Sequence, residues 1–289
     1  MNTDRAVIIP CWNRPEMLAL CLEYLREAGG EQYPYFIAVD NHVDGSFAPE
    51  LMEVVRDYAP QAKVRILKAH NTHGNTHNVL SAFRDASRAF PEAERFFYVE
   101  EDILVGKDFF RWHEAVNKFD RWGASVASVN LCGSHDLTKL PDTSEGVYTS
   151  EVDYTALGSC LPGWILPMLY CHDQEFYYQN MPRYVRIAFP RSTMNDAYSE
   201  QDGLIRRVME ANRFRVAWPV RPRCAHVGYY GYHRRGVAPG ATWRERLAFL
   251  KTVASHPDKL NQMAKDFPDA KGCNFEGEPW ETLKLEHSF

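Results

Sequence analysis

The sequence predicts an α/β fold with a mostly parallel central sheet flanked by helices. Over the first 130 residues, short apolar strands alternate with amphipathic helices, a pattern typical of parallel strands joined by right-handed crossovers. The segments 6–10 and 96–99 are nearly continuous apolar runs, as expected for strands that are covered on both faces. With 289 residues, 45% of them hydrophobic, the chain can bury a large core.

Hydrophobic periodicity and helix signals predict the elements of the first part of the chain. A strand over 6–10 leads into a helix whose N-cap we expect at Asn13, two residues before Pro15, and which ends at Gly29. The inward face of this helix is expected to carry Leu18, Cys21, Leu22 and Leu25. Further strands are predicted at 35–39, 64–67, 96–99 and 124–129, and further helices at 48–58, 75–90 and 107–120.

Beyond residue 130 the alternation is less regular. Strands are predicted at 147–154 and 214–218, and helices at 166–180, 200–211 and 242–254. No linker rich in Pro, Gly or Ser divides the chain. We therefore expect residues 1–289 to form one domain.

Composition indicates a cytoplasmic protein without a membrane anchor. There is no apolar run long enough to cross a bilayer, and the first residues lead directly into a strand rather than into a signal peptide. The seven cysteines are scattered and contain no C-x-x-C pair, which favours reduced, mostly buried thiols.

The charge is unevenly distributed along the chain. The formal net charge is −5, yet residues 183–246 hold 13 Arg, no Lys and 5 acids. An acidic chain is not expected to bind nucleic acid over its whole surface, but this segment could meet phosphates locally. The alternative is that these arginines lie solvated on helix and loop surfaces.

Three consecutive carboxylates, Glu100, Glu101 and Asp102, follow the apolar strand at 96–99. Ligands of open α/β sheets bind beyond the carboxyl ends of the strands. Carboxylates crowded at such a place either take up a proton or bind a divalent metal through oxygen. The second alternative suggests a diphosphate substrate, whereas in a third the acids stabilise the helix near Lys107 or lie in solvent.

Standard phosphate-binding loops are missing from the sequence. Neither G-x-G-x-x-G after the first strand nor G-x-x-x-x-G-K-[ST] occurs, which disfavours an NAD enzyme or a P-loop NTPase. Instead, polar residues follow three strands, at 10–15, 40–46 and 100–102. The three segments are expected to converge on one crevice.

The sequence resembles the GT-A glycosyltransferases, which transfer a sugar from a nucleotide sugar by means of a Rossmann-like domain. The similar segments are the opening strand and turn at 7–16, the second strand and its acid at 39–46, and the acidic turn with its sequel at 99–110. In the last of these, an acidic triplet is followed by a short turn and Asp-Phe-Phe, similar to the D-x-D region of the N-acetylglucosaminyltransferase branch. Segments 128–130 and 162–164 also resemble that branch.

The resemblance implies a divalent-metal site and a donor site. Asp102 is expected to contact Mn²⁺ or Mg²⁺ directly, and His226 to supply another ligand, with His233 as a rival. A UDP-sugar is the expected donor. The residues expected to contact it are Pro10, Cys11, Asn13, Arg14, Asp40, Asn75, Glu100, Glu101 and Trp164.

Three of these expectations have alternatives. Trp164 could equally be a core residue. The histidines at 70, 73 and 77 could bind a metal on a helix, but the nearby Asn71 and Gly74 favour a loop with a donor-binding or structural role. The aromatic and basic stretch 229–236 could close over a diphosphate or stack on bases.

The resemblance also implies a carboxylate base at 200–202. In inverting members such a base takes the proton of the acceptor hydroxyl, and here Asp202 is the first candidate and Glu200 the second. The family's commonest pattern would place the acid where Gln201 stands. The alternative is that both acids serve the helix N-terminus.

Taken together, these observations predict a metal-dependent, inverting glycosyltransferase. We expect residues 1–130 to bind the nucleotide sugar, a smaller acceptor-side part at 131–240 to complete the catalytic site, and 241–289 to form a helical extension. The acceptor is a glycan or a hydroxylated base in DNA, the latter through the Arg-rich segment. The alternatives are a nucleotidyltransferase acting on sugar phosphates and a non-catalytic nucleotide-sugar or glycan-binding protein.

Overall fold

The structure of the protein is a computed structural model. It describes residues 3–40, 49–67, 73–119, 123–127, 147–150, 154–219, 223–227 and 241–254. The strands are β1 (Arg5–Cys11), β2 (Tyr35–Val39), β3 (Lys63–Ile66), β4 (Arg95–Tyr98), β5 (Ile103–Val105), β6 (Ala124–Val126), β7 (Val147–Ser150), β8 (Ser159–Pro162), β9 (Val216–Pro219) and β10 (Cys224–His226). The helices are α1 (Pro15–Glu27), α2 (Pro49–Tyr58), α3 (Gly74–Ala89), α4 (Phe109–Phe119), α5 (Leu166–Tyr170), α6 (Glu175–Gln179), α7 (Met181–Ala188), α8 (Gln201–Asn212) and α9 (Trp243–Ala254).

The central sheet has the strand order β3-β2-β1-β4-β8-β6-β9-β7. The first four of these strands are parallel to one another. β8 runs antiparallel to both β4 and β6, β9 is parallel to β6, and β7 is antiparallel to β9. Six of the eight strands therefore share one direction, and the predicted Rossmann-like, mostly parallel sheet flanked by helices is confirmed.

Helices pack on both faces of this sheet. On one face, α1 buries Leu18, Cys21, Leu22 and Leu25, as its periodicity predicts. On the other face, α3 buries Val79, Leu80 and Phe83 in a second cluster. Because both faces are covered, β4 and all of β1 except Arg5 are buried, which explains their nearly continuous apolar sequences.

The pairing of β1 with β4 brings the first turn of the chain next to the three carboxylates. The two strands are in register with Ile8 opposite Tyr98, and the Val99 amide donates to the Ile8 carbonyl at 3.0 Å. Both strands end at the same edge of the sheet. The turn that follows Cys11 thus lies beside the turn that holds Glu100 to Asp102.

A separate two-stranded sheet extends this edge. β10 pairs antiparallel with β5, with His226 opposite Ile103. The Val227 amide also donates to the carbonyl of Asp102 at 2.8 Å. A late segment of the chain is therefore fixed next to the acidic turn.

Two local predictions were wrong. α1 has its N-cap at Arg14 rather than Asn13, and no side chain caps it. The helix predicted over 166–180 is two short helices, α5 and α6. The chain turns between them at Asp173, whose side chain is 3% exposed and accepts hydrogen bonds from Arg84 Nη1 and Tyr178 Oη, both at 2.7 Å.

Several elements are absent from the sequence prediction. They are β5, β8, β10 and α7. The three strands have only three or four residues each, too few for a periodic signal. The predicted strands at 124–129 and 147–154 are seen as β6 and β7, while 128–129 and 151–153 lie outside the described residues.

No helix among the described residues is both long and apolar enough to cross a membrane. Five of the seven cysteines are described as free thiols, and four of these are buried. The predicted functions of 1–130, 131–240 and 241–289 stay predictions.

Candidate functional site

The acidic turn between β4 and β5 is largely withdrawn from solvent. Glu101 and Asp102 are only 3% and 5% exposed, and Glu100 is partly buried. Charged groups in such surroundings need a counter-ion and hydrogen bonds. The burial of Glu101 and Asp102 excludes the alternative in which the acids lie in solvent.

Arg14 supplies that counter-ion from the first turn of the chain. Its Nη2 lies 2.6 Å from Glu101 Oε1, and its Nη1 donates to Asp102 Oδ2 at 2.8 Å. The Trp12 amide adds a hydrogen bond to Glu101 Oε1 at 3.1 Å. Burial by itself would lower the pKa of Arg14, but the two carboxylates outweigh it and raise that pKa. The guanidinium is therefore permanently charged, and it ties the end of β1 to the end of β4.

His226 contacts the same oxygen of Asp102 as Arg14 does. Its Nε2 lies 3.2 Å from Asp102 Oδ2, a contact that the pairing of β10 with β5 positions. Burial alone would raise the pKa of Asp102, but His226 and Arg14 hold it well below its usual range. Asp102 is therefore ionised at neutral pH, and the two residues predicted as metal ligands lie in contact.

Glu100 is in the opposite electrostatic situation. Burial raises its pKa to about 8, with further contributions from the charges of Asp102 and Asp202. Tyr98 Oη donates to Glu100 Oε1 at 2.5 Å, which favours the ionised form but does not prevail. At neutral pH, Glu100 is mostly protonated. The triplet thus contains a protonated Glu100 and an ionised Asp102.

The N-terminus of α8 delivers Asp202 to the same region. Glu200 is the N-cap residue, with extended backbone and no side-chain cap, and Asp202 lies in the first turn. Asp202 is exposed as a residue, yet partial desolvation of its carboxyl group raises its pKa to about 6. Glu200 raises this pKa further and His226 lowers it. Asp202, Glu100 and His226 are therefore close enough to interact electrostatically.

The start of α8 is held by close backbone packing. A Cβ atom at Gly203 would overlap the Tyr198 carbonyl oxygen, so this position requires glycine. Tyr177 Oη donates to the Ser199 carbonyl at 2.5 Å. Thr76 Oγ1 donates to Gln201 Oε1 at 2.9 Å, which links α8 to the first turn of α3.

The predicted donor residues of the first two strands lie at the same edge of the sheet. Pro10 and Cys11 end β1 and are buried, and burial raises the pKa of the Cys11 thiol. Asp40 follows β2, is 8% exposed, and its amide donates to the Cys11 carbonyl at 2.9 Å. Asn13 is partly buried in the turn before α1.

The remaining two predicted donor residues lie on other elements. Asn75 is exposed in the first turn of α3. Trp164 follows Pro162, which pairs with Arg95 at the end of β4 farthest from Glu100. There its 38% exposed ring packs edge-on against Phe214, with ring centroids 4.7 Å apart, and borders a cavity of about 560 Å³. The structure does not bring Trp164 to the carboxylates.

His73 and His77, the two described members of the histidine cluster, form contacts that hold helices together. His77 Nδ1 lies 2.7 Å from Asp173 Oδ1, and His73 Nε2 lies 3.1 Å from Glu175 Oε2. His73 also stacks on Tyr178, with centroids 4.3 Å apart. These contacts join α3 to the turn between α5 and α6. His70, His233 and the stretch 229–236 lie outside the described residues.

Sequence reasoning missed Tyr98 as a site residue. It lies on β4 two positions before Glu100, so the alternation of side chains along a strand places both on the same side. That signal was present in the sequence, but an aromatic residue in an apolar run was taken for core. The role of Arg14 as the internal partner of Glu101 and Asp102 had no local signal.

The described residues fit a divalent metal only with help from a ligand. In the described ranges, no three His, Cys, Asp or Glu side chains form a group that could hold a metal ion by themselves. However, Asp102 Oδ1 is buried and has no hydrogen-bond partner in those ranges, and His226 lies alongside. Mg²⁺ and Mn²⁺ commonly take one or two protein ligands and complete their shell with phosphate oxygens and water. Asp102 and His226 fit that arrangement.

Comparison with known proteins gives only distant similarity. No family model and no curated protein matches the sequence. Similar solved structures include S. aureus TarS, at 13% identity and a TM-score of 0.49 over 92% of this chain and 46% of that one. They also include S. aureus TarS 1-349 with UDP-GlcNAc, at 10% identity and a TM-score of 0.48 over 90% of this chain and 72% of that one. The complex of the same fragment with UDP has 12% identity and a TM-score of 0.48 over 93% and 73%.

This chain therefore spans less than half the length of the first of these structures, 46%. At such identities and TM-scores, the similarity assigns no function to the chain.

The ion pairs of Arg14 lead to a prediction about stability. Arg14→Gln leaves Glu101 and Asp102 buried without their guanidinium, and we expect the free energy of unfolding to fall by about 3–5 kcal/mol. The loss should be smaller at pH 5 than at pH 8, because carboxyls without a counter-ion take up protons in the folded state. Urea unfolding at both pH values measures this.

A matched control is Arg26→Gln, which removes the same charge from an exposed position on α1. It should change the free energy of unfolding by no more than about 0.5 kcal/mol. Equal losses in the two variants, or a loss that grows toward pH 5, would contradict the role given to Arg14.

Proposed function

We propose that this protein is a metal-dependent GT-A glycosyltransferase that moves a sugar from a nucleotide sugar, a UDP-sugar, to an acceptor hydroxyl. The observation that carries the proposal is the meeting of three side chains from distant segments at one edge of the sheet. Asp102 comes from the turn after β4, His226 from β10 and Asp202 from the start of α8. This arrangement provides a metal-binding pair and, beside it, a carboxylate suited to take up a proton.

Asp102 and His226 would hold the metal ion. Asp102 is suited to this because it is ionised and has a buried oxygen without a hydrogen-bond partner in the described ranges. When bound, Mn²⁺ or Mg²⁺ neutralises charge that develops on the diphosphate leaving group. Arg14 keeps Asp102 ionised and oriented, since it donates to Oδ2 and leaves Oδ1 available.

The donor lies along the ends of β1, β2 and β4. In this proposal, Asp40 contacts the base, and Pro10, Cys11 and Asn13 line the turn that faces the nucleotide. Glu100 and Glu101 act around the sugar and the diphosphate. Since Glu100 is mostly protonated at neutral pH, it can donate a hydrogen bond to a sugar hydroxyl, and its neutrality reduces repulsion of the diphosphate.

Asp202 is the proposed base. The acceptor hydroxyl transfers its proton to the Asp202 carboxylate while its oxygen attacks the anomeric carbon. The bond from that carbon to the diphosphate oxygen breaks, and the nucleoside diphosphate leaves from the opposite face, which inverts the configuration. A pKa of about 6 suits the task, because a base is most effective when its pKa lies near the working pH.

The acceptor is proposed to be a glycan or a hydroxylated base in DNA. These two differ in charge, and salt dependence separates them. Affinity for a DNA acceptor should fall steeply as salt rises, because binding releases counterions from the phosphates, whereas affinity for a neutral saccharide should not.

The metal-binding role of Asp102 is tested by Asp102→Asn. We expect both sugar transfer and donor hydrolysis to be lost, because the amide cannot hold the cation as a carboxylate does. Far-UV circular dichroism should show that the fold is retained. Asp57→Asn, which changes an acid in an exposed ion pair on α2, serves as the control and should keep full activity. Metal-dependent activity of Asp102→Asn at the wild-type level would refute the assignment.

The role of the base is tested by Asp202→Asn. The rate of transfer should fall by about 10²–10⁴-fold while affinity for UDP is unchanged. In the wild type, the rate should decline as the pH falls through about 6, since the carboxylate is then protonated. Steady-state kinetics from pH 5 to 8 measure both effects.

Glu200→Gln distinguishes the two acids of this turn. It should leave most of the rate intact. If Glu200→Gln abolished transfer and Asp202→Asn did not, Glu200 would be the base.

A further inference from the structure

A second cavity lies at the far end of α8 from Asp202. It has a volume of about 450 Å³ and is formed where the end of α7 and the segment after it approach the last turns of α8. Its lining includes three arginines and one acid, namely Arg191, Arg207, Arg213 and Glu210. None of these residues belongs to the proposed donor and metal site.

Two of these four charged groups are already engaged by the protein. Arg207 is 1% exposed and donates to backbone carbonyls, including those of Tyr198 and Asn195, the latter at 2.8 Å. Glu210 accepts hydrogen bonds from Ser192 Oγ at 2.5 Å and from the amide and hydroxyl of Thr193. The carboxylate of Glu210 is thus engaged by Ser192 and Thr193, and the charge of Arg206 also acts on it.

The other two groups, Arg191 and Arg213, have no ion-pair partner in the described ranges. Arg191 and Arg213 are both exposed, and neither forms an ion pair with any acid in the described part of the chain. With Arg207 and Glu210 included, the lining carries three positive charges and one negative charge. Arg191 and Arg213 therefore line the cavity without an ion-pair partner among the described residues.

The backbone of Arg213 supports a role for its side chain. It has φ 54° and ψ 40°, a left-handed conformation, and it is the one residue other than glycine with positive φ in the described ranges. This C-terminal position of a helix is usually occupied by glycine or asparagine, because other side chains are strained there. An arginine kept at a strained position points to a function for the guanidinium.

We propose that this cavity binds a phosphate group. Guanidinium groups form paired, charge-assisted hydrogen bonds with phosphate oxygens, and Arg suits that geometry better than Lys. Asp202 in the first turn of α8 and Arg213 at its end are separated by about 16 Å along the helix. Resting on the proposed function, we assign the phosphate to a phosphodiester of the acceptor, whose reacting hydroxyl reaches Asp202.

Calorimetry with inorganic phosphate and with dimethyl phosphate tests the site at low ionic strength, on the full chain and without any donor. The wild type should bind both ions. Arg213→Gly should lower affinity for both at least tenfold, while its midpoint of thermal unfolding stays the same or rises, since glycine relieves the backbone strain. Arg191→Gln should lower affinity in the same direction, and Arg26→Gln should leave it unchanged.

The outcomes are separable. Wild-type affinity in both Arg213→Gly and Arg191→Gln, or no binding to the wild type, would overturn the site. Binding of inorganic phosphate alone would overturn the assignment to an acceptor phosphodiester. Because no donor or turnover is involved, failure of Asp102→Asn or Asp202→Asn to affect transfer would leave these results unchanged.

Discussion

The ion pairs of Arg14 with Glu101 and Asp102 are the constraint on which the site depends. They join the turn after β1 to the turn after β4, two segments that are adjacent only because the strands are parallel neighbours. Buried ion pairs contribute little net stability, since desolvation offsets most of their attraction. Their role here is to hold the acidic side chains in place. They keep Asp102 ionised and direct one of its oxygens away from the guanidinium.

The other parts of the site are arranged around Asp102. The β5–β10 pairing brings His226 to it, and Gly203 allows the close packing that sets the start of α8 and Asp202. Each carboxyl then has a different state because its neighbours differ. Asp102 contacts Arg14 and His226, Glu100 has no basic side chain in direct contact among the described residues, and the charges of Glu200 and His226 act on Asp202. A protonated carboxyl, an ionised carboxylate and a carboxyl with a pKa of about 6 thus occupy one edge of the sheet.

The sequence predicted the parts of this arrangement that depend on local patterns. The buried runs of β1 and β4 and the polar residues after them place the acids at the edge of the sheet by strand geometry alone. The partnership of Arg14 with residues about ninety positions away has no periodic signal, and neither do strands as short as β5 and β10. For Trp164, the resemblance at 162–164 suggested a contact with the donor, yet the antiparallel direction of β8 carries it to the other end of β4.

The binding of UDP with and without Mn²⁺, measured by calorimetry on the wild-type protein, tests the central claim most directly. If Asp102 and His226 hold a cation that bridges the diphosphate, UDP should bind at least tenfold more tightly with Mn²⁺ than in the presence of a chelator, a difference of about 1.4 kcal/mol. Equal affinity under the two conditions, or no binding of UDP at all, would contradict the assignment of this edge as a metal-dependent nucleotide-sugar site.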